Sequence, residues 1–475
     1  MKSNQELGTL CEKRGYLNRK WASLLIYLCC ALYSSAYVGR YSYAASLYYV
    51  MGDMNVTKDI AGMVSSFFFF SYASGQLLNS WLAKYYEPRR VMTIALSISA
   101  LCNLGIGLCP DVMIMRPVWL LNGIAQSMLW CSLLNIQSKY LSPEDVSRAI
   151  IWNSMTVAFG TVTCYGLTAA FHHFGLPWRV LFYVSCALLL SIAALWWFGI
   201  GKIERDVRLG AALRPMTAEE LARSTAQPQA STGKVKLFTR AFIPPFILAC
   251  VVAATCSFIR DGVVTWLPTI LIEDFGMDAS LSTALTMLLP MISLLGAMMV
   301  RRMQKYLRGN MFMEGLLFAV AALSLTTILA LYSARLALVT LALFAVMYLM
   351  LMAISNITTS IIPFAYRSRG NVGGVSALLD SCCYLGSMIS TYGLGYVSEQ
   401  YGWMRVMVLI AVIAGVMEMI ARSLAGIWLV PMMQMVGAGL GSPLAWVLAD
   451  LFLIPTYFRC KRIVMGKVHH VNPER

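Results

Sequence analysis

Two arginines stand in stretches that are otherwise apolar enough to cross a membrane: Arg40 in AYVGRYSYAASLYYV and Arg260 in CSFIRDGVVTWLPTIL. A guanidinium near the centre of a span costs about 2.5–3.5 kcal/mol on insertion scales, so each must face the protein interior or a watery cavity, not lipid. Its planar fork of donors suits carboxylate or phosphate, and two such groups facing one cavity repel unless an anion lies between them. The competing reading is neutralisation within the protein, by Asp261, Asp380 or a backbone carbonyl. Adjacent helical residues point about 100° apart, so Arg260 and Asp261 are not expected to neutralise each other well. That leaves Asp261 three roles: lining the mouth of a cavity, tuning Arg260, or capping local structure. Asp380, deep in its own apolar run, is a candidate for proton exchange or for partnering one of the arginines.

Gln76, Asn122, Gln126, Asn153 and Asn356 are polar on otherwise apolar helices, where interhelical hydrogen bonding is the usual role and cavity lining the rarer one. The run Phe67–Phe70 and the tyrosines Tyr37, Tyr41, Tyr43, Tyr48 and Tyr49 suit helix packing or the membrane interface, although a tyrosine one turn from Arg40 could donate to a bound anion. The histidines, at 172, 173, 469 and 470, avoid the centres of the apolar runs, which argues against a buried histidine relay. Thirteen cysteines, with no CxxC spacing, read as small buried hydrophobes and not as a disulfide framework or a metal site. There is no P-loop, GxSxG or HExxH, so neither an enzyme nor a cofactor is expected.

These side chains must be positioned by membrane helices. Of 475 residues 59% are hydrophobic and 12% charged, against about 25% charged in a soluble domain, so the chain reads as an all-α polytopic membrane protein. Apolar runs fall at 22–51, 59–83, 91–109, 113–141, 148–172, 178–199, 241–272, 280–300, 311–332, 336–362, 371–398 and 402–422. Alternate connections are basic, among them KYYEPRR and RRMQKYLR, which places them and the N-terminus on the cytoplasmic side. The net charge of +15 is thereby explained by lipid headgroups and topology, and no nucleic-acid partner is implied. Residues 1–21 read as a cytosolic tail, 22–199 as a first six-helix half, 200–240 as a cytosolic linker, 241–422 as a second half, and 423–475 as an apolar extension with a basic tail. Landmarks recur across the linker: Arg40 answers Arg260, KYYEPRR answers RRMQKYLR, and GLPWRV answers YGWMRV. Both arginines also lie about 6 Å beyond the midpoints of matching runs. Two halves of similar plan, with a site between them, are expected.

Over about residues 25–415 the chain resembles the major facilitator superfamily, and within it the organophosphate:phosphate antiporters related to the glycerol-3-phosphate transporter. The carrying segments are AYVGRYSYAASLYYV, NGIAQSMLW, IWNSMTVAFG, FIRDGVVTWLPTIL and DSCCYLGSMISTYGLGYVSEQYGW. The resemblance implies a major facilitator fold in which Arg40 and Arg260 grip an anion. It also implies that Tyr37, Tyr72, Gln126, Trp130, Asn153 and Tyr384 keep residue types the family has at matching positions, some of them lining its pore. The sequence departs where the family has positive charge: Thr156 replaces a histidine, and Gln76 and Tyr41 replace lysines. An acid has also moved from the position of Thr265 to Asp261. Such a site suits a monoanion or a zwitterion better than a dianionic phosphate monoester.

Residues 416–460 resemble instead the last spans of multidrug and toxin extrusion carriers, with 402–432 long enough for one helix of about 45 Å and a further apolar segment at 442–458. The expected function is secondary active transport of a small anionic solute, an organophosphate, sugar acid or similar, by a monomer in the plasma (inner) membrane. Phosphate or protons would serve as counter-substrate, through anion exchange or through proton coupling at Asp261 or Asp380. A proton-coupled drug or sugar carrier and a transporter-like solute receptor are the rival expectations.

Overall fold

The computed structural model describes residues 15–82, 86–214, 243–306, 310–362 and 372–433. Each long apolar run forms a helix, because only a helix satisfies its own backbone in hydrocarbon. The first six are α1 (Arg19–Met54), α2 (Lys58–Leu82), α3 (Pro88–Leu108), α4 (Val112–Tyr140), α5 (Pro143–His173) and α6 (Arg179–Arg208). Then come α7 (Ile243–Glu273), α8 (Ala279–Thr286), α9 (Leu288–Met303), α10 (Asn310–Leu331), α11 (Ala337–Asn356), α12 (Val372–Tyr401) and α13 (Trp403–Met433). The helix ends follow side-chain chemistry. Asn18, Asp111, Ser142 and Asp278 cap N-termini through their side chains, and Asn55 closes α1 in the left-handed region.

Helices α8 and α9 are one rod with a fault at Met287. Pro290 lacks the N–H that would bond the carbonyl of Thr286, so the helix breaks there and resumes. The expected twelve spans are therefore met by these rods among the described residues. By length and composition alone eight of them are long and apolar enough to cross a membrane. Helices α2, α4, α12 and the α8–α9 rod fall outside that set, and the first three carry Gln76, Gln126 and Asp380 toward the interior.

The internal repeat is visible in the packing. In the first half α1 packs on α5, α2 on α4 and α3 on α6; in the second, α7 packs on α12, α9 on α11 and α10 on α13. With α8 and α9 counted as one rod, these are the same pairings displaced by six spans. Glycines at matching places make two of them possible. A Cβ on Gly160 would lie 2.3 Å from the carbonyl oxygen of Ser34 in α1, and one on Gly386 would lie 1.9 Å from that of Ala254 in α7. The halves meet along α2 against α12 and along α5 against α8 and α9. Pro268 frees the carbonyl of Val264 inside α7, and Tyr165 of α5 donates its hydroxyl to it at 3.1 Å across the interface.

Two differences from the sequence reading have physical causes. Helix α6 continues to Arg208, and Leu213–Arg214 then pairs antiparallel with Tyr16–Leu17, so part of the expected tail and residues 200–208 and 213–214 of the expected linker are regular structure. Leu17 and Ala212 are buried where the two strands meet the helix ends, which gives the short ribbon an apolar footing. Helix α13 runs unbroken from Trp403 to Met433, as expected of a single helix over 402–432. The segment 442–458 lies outside the described residues.

Candidate functional site

Arg40 is 5% exposed on α1 and enclosed mainly by rings. Tyr37, one turn earlier, lies 4.6 Å below the guanidinium, and Tyr72 of α2 lies 4.5 Å from it. Its Nε donates to Oε1 of Gln126 on α4 at 3.1 Å, and its Nη1 donates to the hydroxyl of Tyr384 on α12 at 3.0 Å. The Gln126 amide is fixed in turn, since its nitrogen donates to Ser99 Oγ at 2.9 Å. Arg40 Nη2 is buried without a partner, and no carboxylate lies within ion-pair distance of this arginine among the described residues.

Arg260 is held differently. Its Nε donates to Asp261 Oδ1 at 2.7 Å and its Nη2 to Oδ2 at 3.0 Å, a two-pronged ion pair between adjacent residues. Ser355 of α11 accepts from Nη1 at 2.9 Å, Ser257 accepts from Nη2 at 3.2 Å, and Ser387 of α12 donates to Asp261 Oδ2. This overturns the expectation that neighbours on a helix pair poorly. The 100° between successive residues fixes where the Cβ atoms point, but the flexible arginine stem lets the guanidinium turn back over the next residue. With 15% and 6% of the side chains exposed, the low local dielectric rewards that fold-back.

Asp380 pairs with neither arginine among the described residues. It is half-buried one turn before Tyr384 on α12, where its Oδ2 accepts from Gln76 Nε2 at 2.9 Å. Gln76 and Tyr72 sit one turn apart on α2, and the carbonyl oxygen of Gln76 and the hydroxyl of Tyr72 are both buried without partners. The rings of Tyr72 and Tyr384 lie 4.2 Å apart. Buried polar atoms are nearly always satisfied, so the orphans on Arg40, Tyr72 and Gln76 make this region the candidate place for a ligand.

Six of the expected site residues, Arg40, Tyr37, Tyr72, Gln76, Gln126 and Tyr384, come together here with Asp380, while Arg260 and Asp261 form the paired cluster on the C-terminal half. Three others are placed elsewhere. Trp130 packs at a tilt against Tyr33, whose ring contacts Tyr37, so it backs the cage at second hand. Asn153 exchanges two hydrogen bonds with Gln137, at 2.8 and 3.2 Å, and Thr156 turns its hydroxyl back onto the carbonyl of Asn153. Sequence reasoning missed Ser99, Ser257, Ser355 and Ser387. Ser387 was within reach, because 380, 384 and 387 form one helical stripe; serines are too common in membrane helices for the others to stand out.

The descriptive model for the Major Facilitator Superfamily matches residues 29–391. The chain is 23% identical over 268 residues to the "Probable sulfoacetate transporter SauU" of Cupriavidus necator, covering 54% of this chain and 59% of that protein. It is also 23% identical over 263 residues to the "Probable anion transporter 6, chloroplastic" of Arabidopsis thaliana, covering 54% of this chain and 48% of that protein. The chain thus spans about half the length of the curated relatives it matches. Among solved structures, a bacterial homologue of the human lysosomal transporter Spinster, inward-facing and occupied, covers 94% of this chain and 98% of its own, with a TM-score of 0.64 at 15% identity. A D-xylose-proton symporter covers 84% of this chain and 97% of its own, with a TM-score of 0.62 at 12% identity. The six-plus-six packing and a family match over most of its length agree: this chain belongs to the Major Facilitator Superfamily.

Proposed function

We propose that the protein is a secondary carrier of a small organic monoanion, moved by alternating access of the two halves around the cage at Arg40. The observation behind this reading is the state of Arg40: a buried cation that, among the described residues, has no carboxylate partner and an unpartnered Nη2, beside two further orphaned polar atoms. Three of the five N–H bonds of this guanidinium have no partner, enough for one carboxylate or sulfonate along the Nη1–Nη2 edge. The Nε–Nη2 fork of Arg260 is taken by Asp261, so a second acid group on the solute finds no free fork. The anion-transporting names of the two relatives support an anionic solute. The site favours a sugar acid over a phosphate monoester. The basic helix ends at Arg19, Lys20, Arg89, Arg90, Lys202 and Arg208 support a cytoplasmic N-terminus in a plasma (inner) membrane.

Charge balance then chooses the coupling. Arg260 and Asp261 cancel, and Arg40 balances Asp380 when that carboxyl is ionised, so the empty site is neutral. A neutral empty site can reorient, which removes the reason for obligatory exchange. A monoanion on Arg40 adds one negative charge unless Asp380 takes a proton with it, so the reading is symport of one anion with one proton.

Purified protein in liposomes tests this with gluconate as the probe. An inward proton gradient should drive accumulation, and Arg40→Lys, which replaces a planar fork with a point charge, should lower uptake by at least about tenfold. Asp380→Asn should keep gluconate–gluconate exchange while losing gradient-driven accumulation. Uptake of a neutral solute that survives Arg40→Ala would overturn the anion anchor, and binding without flux under any gradient would make the protein a receptor.

A further inference from the structure

Far from the Arg40 cage, at the face that carries the α1–α2 turn, one lysine of the N-terminal half reaches two acids of the other. Lys58, the first residue of α2, places its Nζ 3.0 Å from Oε2 of Glu273, the last residue of α7, and 3.8 Å from Oε2 of Glu399 on α12. The Lys58 backbone N–H also donates to Glu399 Oε2 at 3.2 Å. Glu273 is oriented by Trp403 of α13, whose Nε1 donates to the same oxygen at 2.7 Å, and the lysine Nζ lies 5.6 Å from that indole. Two turns deeper, Ser66 of α2 bonds Thr391 Oγ1 and the carbonyl of Met388 on α12, both at 2.8 Å. Ser280 of α8 donates to the carbonyl of Ala169 on α5 at 2.9 Å, which joins the halves on the opposite flank of the same face.

The ion pairs are reached by water. A cavity of about 690 Å³ opens on this face, lined by Tyr48, Asp53, Lys58, Trp178, Arg179 and Glu273 among others. The charged groups bridging the halves here are thus a partly exposed three-charge contact, 19% of the lysine and 32% of each carboxylate being exposed. Such contacts form and break readily, unlike the buried Arg260–Asp261 pair. Nothing in the Arg40 cage requires them, since they touch none of its residues.

We propose that Lys58, with Glu273 and Glu399, is the latch that holds this face shut, and that it must open for this side of the carrier to admit solute. This rests on the alternating-access reading, because a latch has meaning only if the halves part here.

The test needs no solute. Hydrogen–deuterium exchange of the full chain in lipid nanodiscs reads the backbone at 58–66 and 391–401 against 75–82 and 372–380. Lys58→Met should raise exchange at the first two segments by about 3- to 10-fold, the range set by two partly exposed ion pairs, and leave the other two unchanged. Lys58→Arg should match the parent. Lys58→Glu should exceed Lys58→Met, and combining it with Glu273→Lys and Glu399→Lys should bring exchange back toward the parent. Unchanged exchange in Lys58→Met overturns the latch, and so does a charge-exchanged triple variant no better protected than Lys58→Glu. A uniform rise over all four segments would mean general loosening, and it overturns the proposal as well. If the latch fails while Arg40-dependent gluconate uptake persists, the carrier reading stands; if the latch responds but no anion is moved, the carrier reading fails instead.

Discussion

Replacing Asp261 by asparagine should convert the site from one that binds a single acid group to one that binds two. In the native arrangement the Nε and Nη2 of Arg260 are both occupied by Asp261, at 2.7 and 3.0 Å. Asparagine keeps the shape and one acceptor but removes the charge. Breaking a buried ion pair by removing one partner costs about 3–5 kcal/mol, and the lower end applies here, since Ser257 and Ser355 still bond the guanidinium and 15% of it is exposed. The empty variant should therefore be less stable by about 3 kcal/mol. A solute with two acid groups, such as sulfoacetate, would then meet a free fork on Arg260. One charge-assisted hydrogen-bonded pair is worth about 1.5–3 kcal/mol, so its affinity relative to gluconate should rise by roughly 10- to 100-fold. Calorimetric titration of both anions in detergent, with ligand-dependent thermal shifts, measures the ratio directly. The double variant Arg260→Met with Asp261→Leu serves as the reference: it should regain stability without gaining the second acid group. If Asp261→Asn is as stable as the parent and the ratio of affinities does not move, the pair is not what restricts the site to a monoanion.

Two further substitutions separate the scaffold from the site. Gly386→Ala puts a methyl 1.9 Å from the carbonyl of Ala254, so α7 and α12 must separate, at an overpacking cost of about 1–3 kcal/mol or more; folded yield by size-exclusion chromatography should fall, and gluconate binding with it. Asn153→Ala leaves the buried Gln137 amide without its partner, costing about 1–3 kcal/mol in thermal unfolding while gluconate affinity stays within about twofold. Lost binding at unchanged stability would instead place Asn153 against the solute, as the antiporter resemblance implies.

The helical rods were legible because hydrocarbon leaves the chain no other local structure, and the repeat because its arginines, its basic turns and the GLPWRV and YGWMRV segments recur at matching places. Arg40 was legible for the same reason that makes it costly. What the sequence could not settle was which arginine stays free. Arg40 and Arg260 look equivalent in the repeat, yet Arg260 has an acid at the next position, and the outcome depends on a rotamer and not on spacing. Asp380 illustrates the converse. Its depth suggested either proton exchange or an arginine partner, and its contact across the interface is Gln76, set by how α2 meets α12. The fate of Asn153 and Thr156 was hidden too, since an amide on a membrane helix can clasp another amide or face a cavity with the same local sequence.

Helix α12 carries both the cage and the latch, and this gives the two a mechanical relation. Asp380, Tyr384 and Ser387 face the centre from one stripe, while Glu399 reaches Lys58 near the far end of the same helix. From 380 to 399 the helix advances by about 28 Å, so a tilt of about 10° about its central contacts moves the latch by about 5 Å. The Lys58–Glu399 bridge there is 3.8 Å long and a displacement of that size breaks it, while the 3.0 Å bridge to Glu273 opens when α7, seated against α12, moves with it. At the centre the same tilt moves Tyr384 relative to Arg40 by far less, a change that a hydroxyl at 3.0 Å and a flexible guanidinium can follow. The lever therefore lets the outer contact open while the anion stays in the hold of Arg40, provided that α12 moves as a rigid body. Its unbroken helix from Val372 to Tyr401 and its close seat on α7 at Gly386 are what make it rigid.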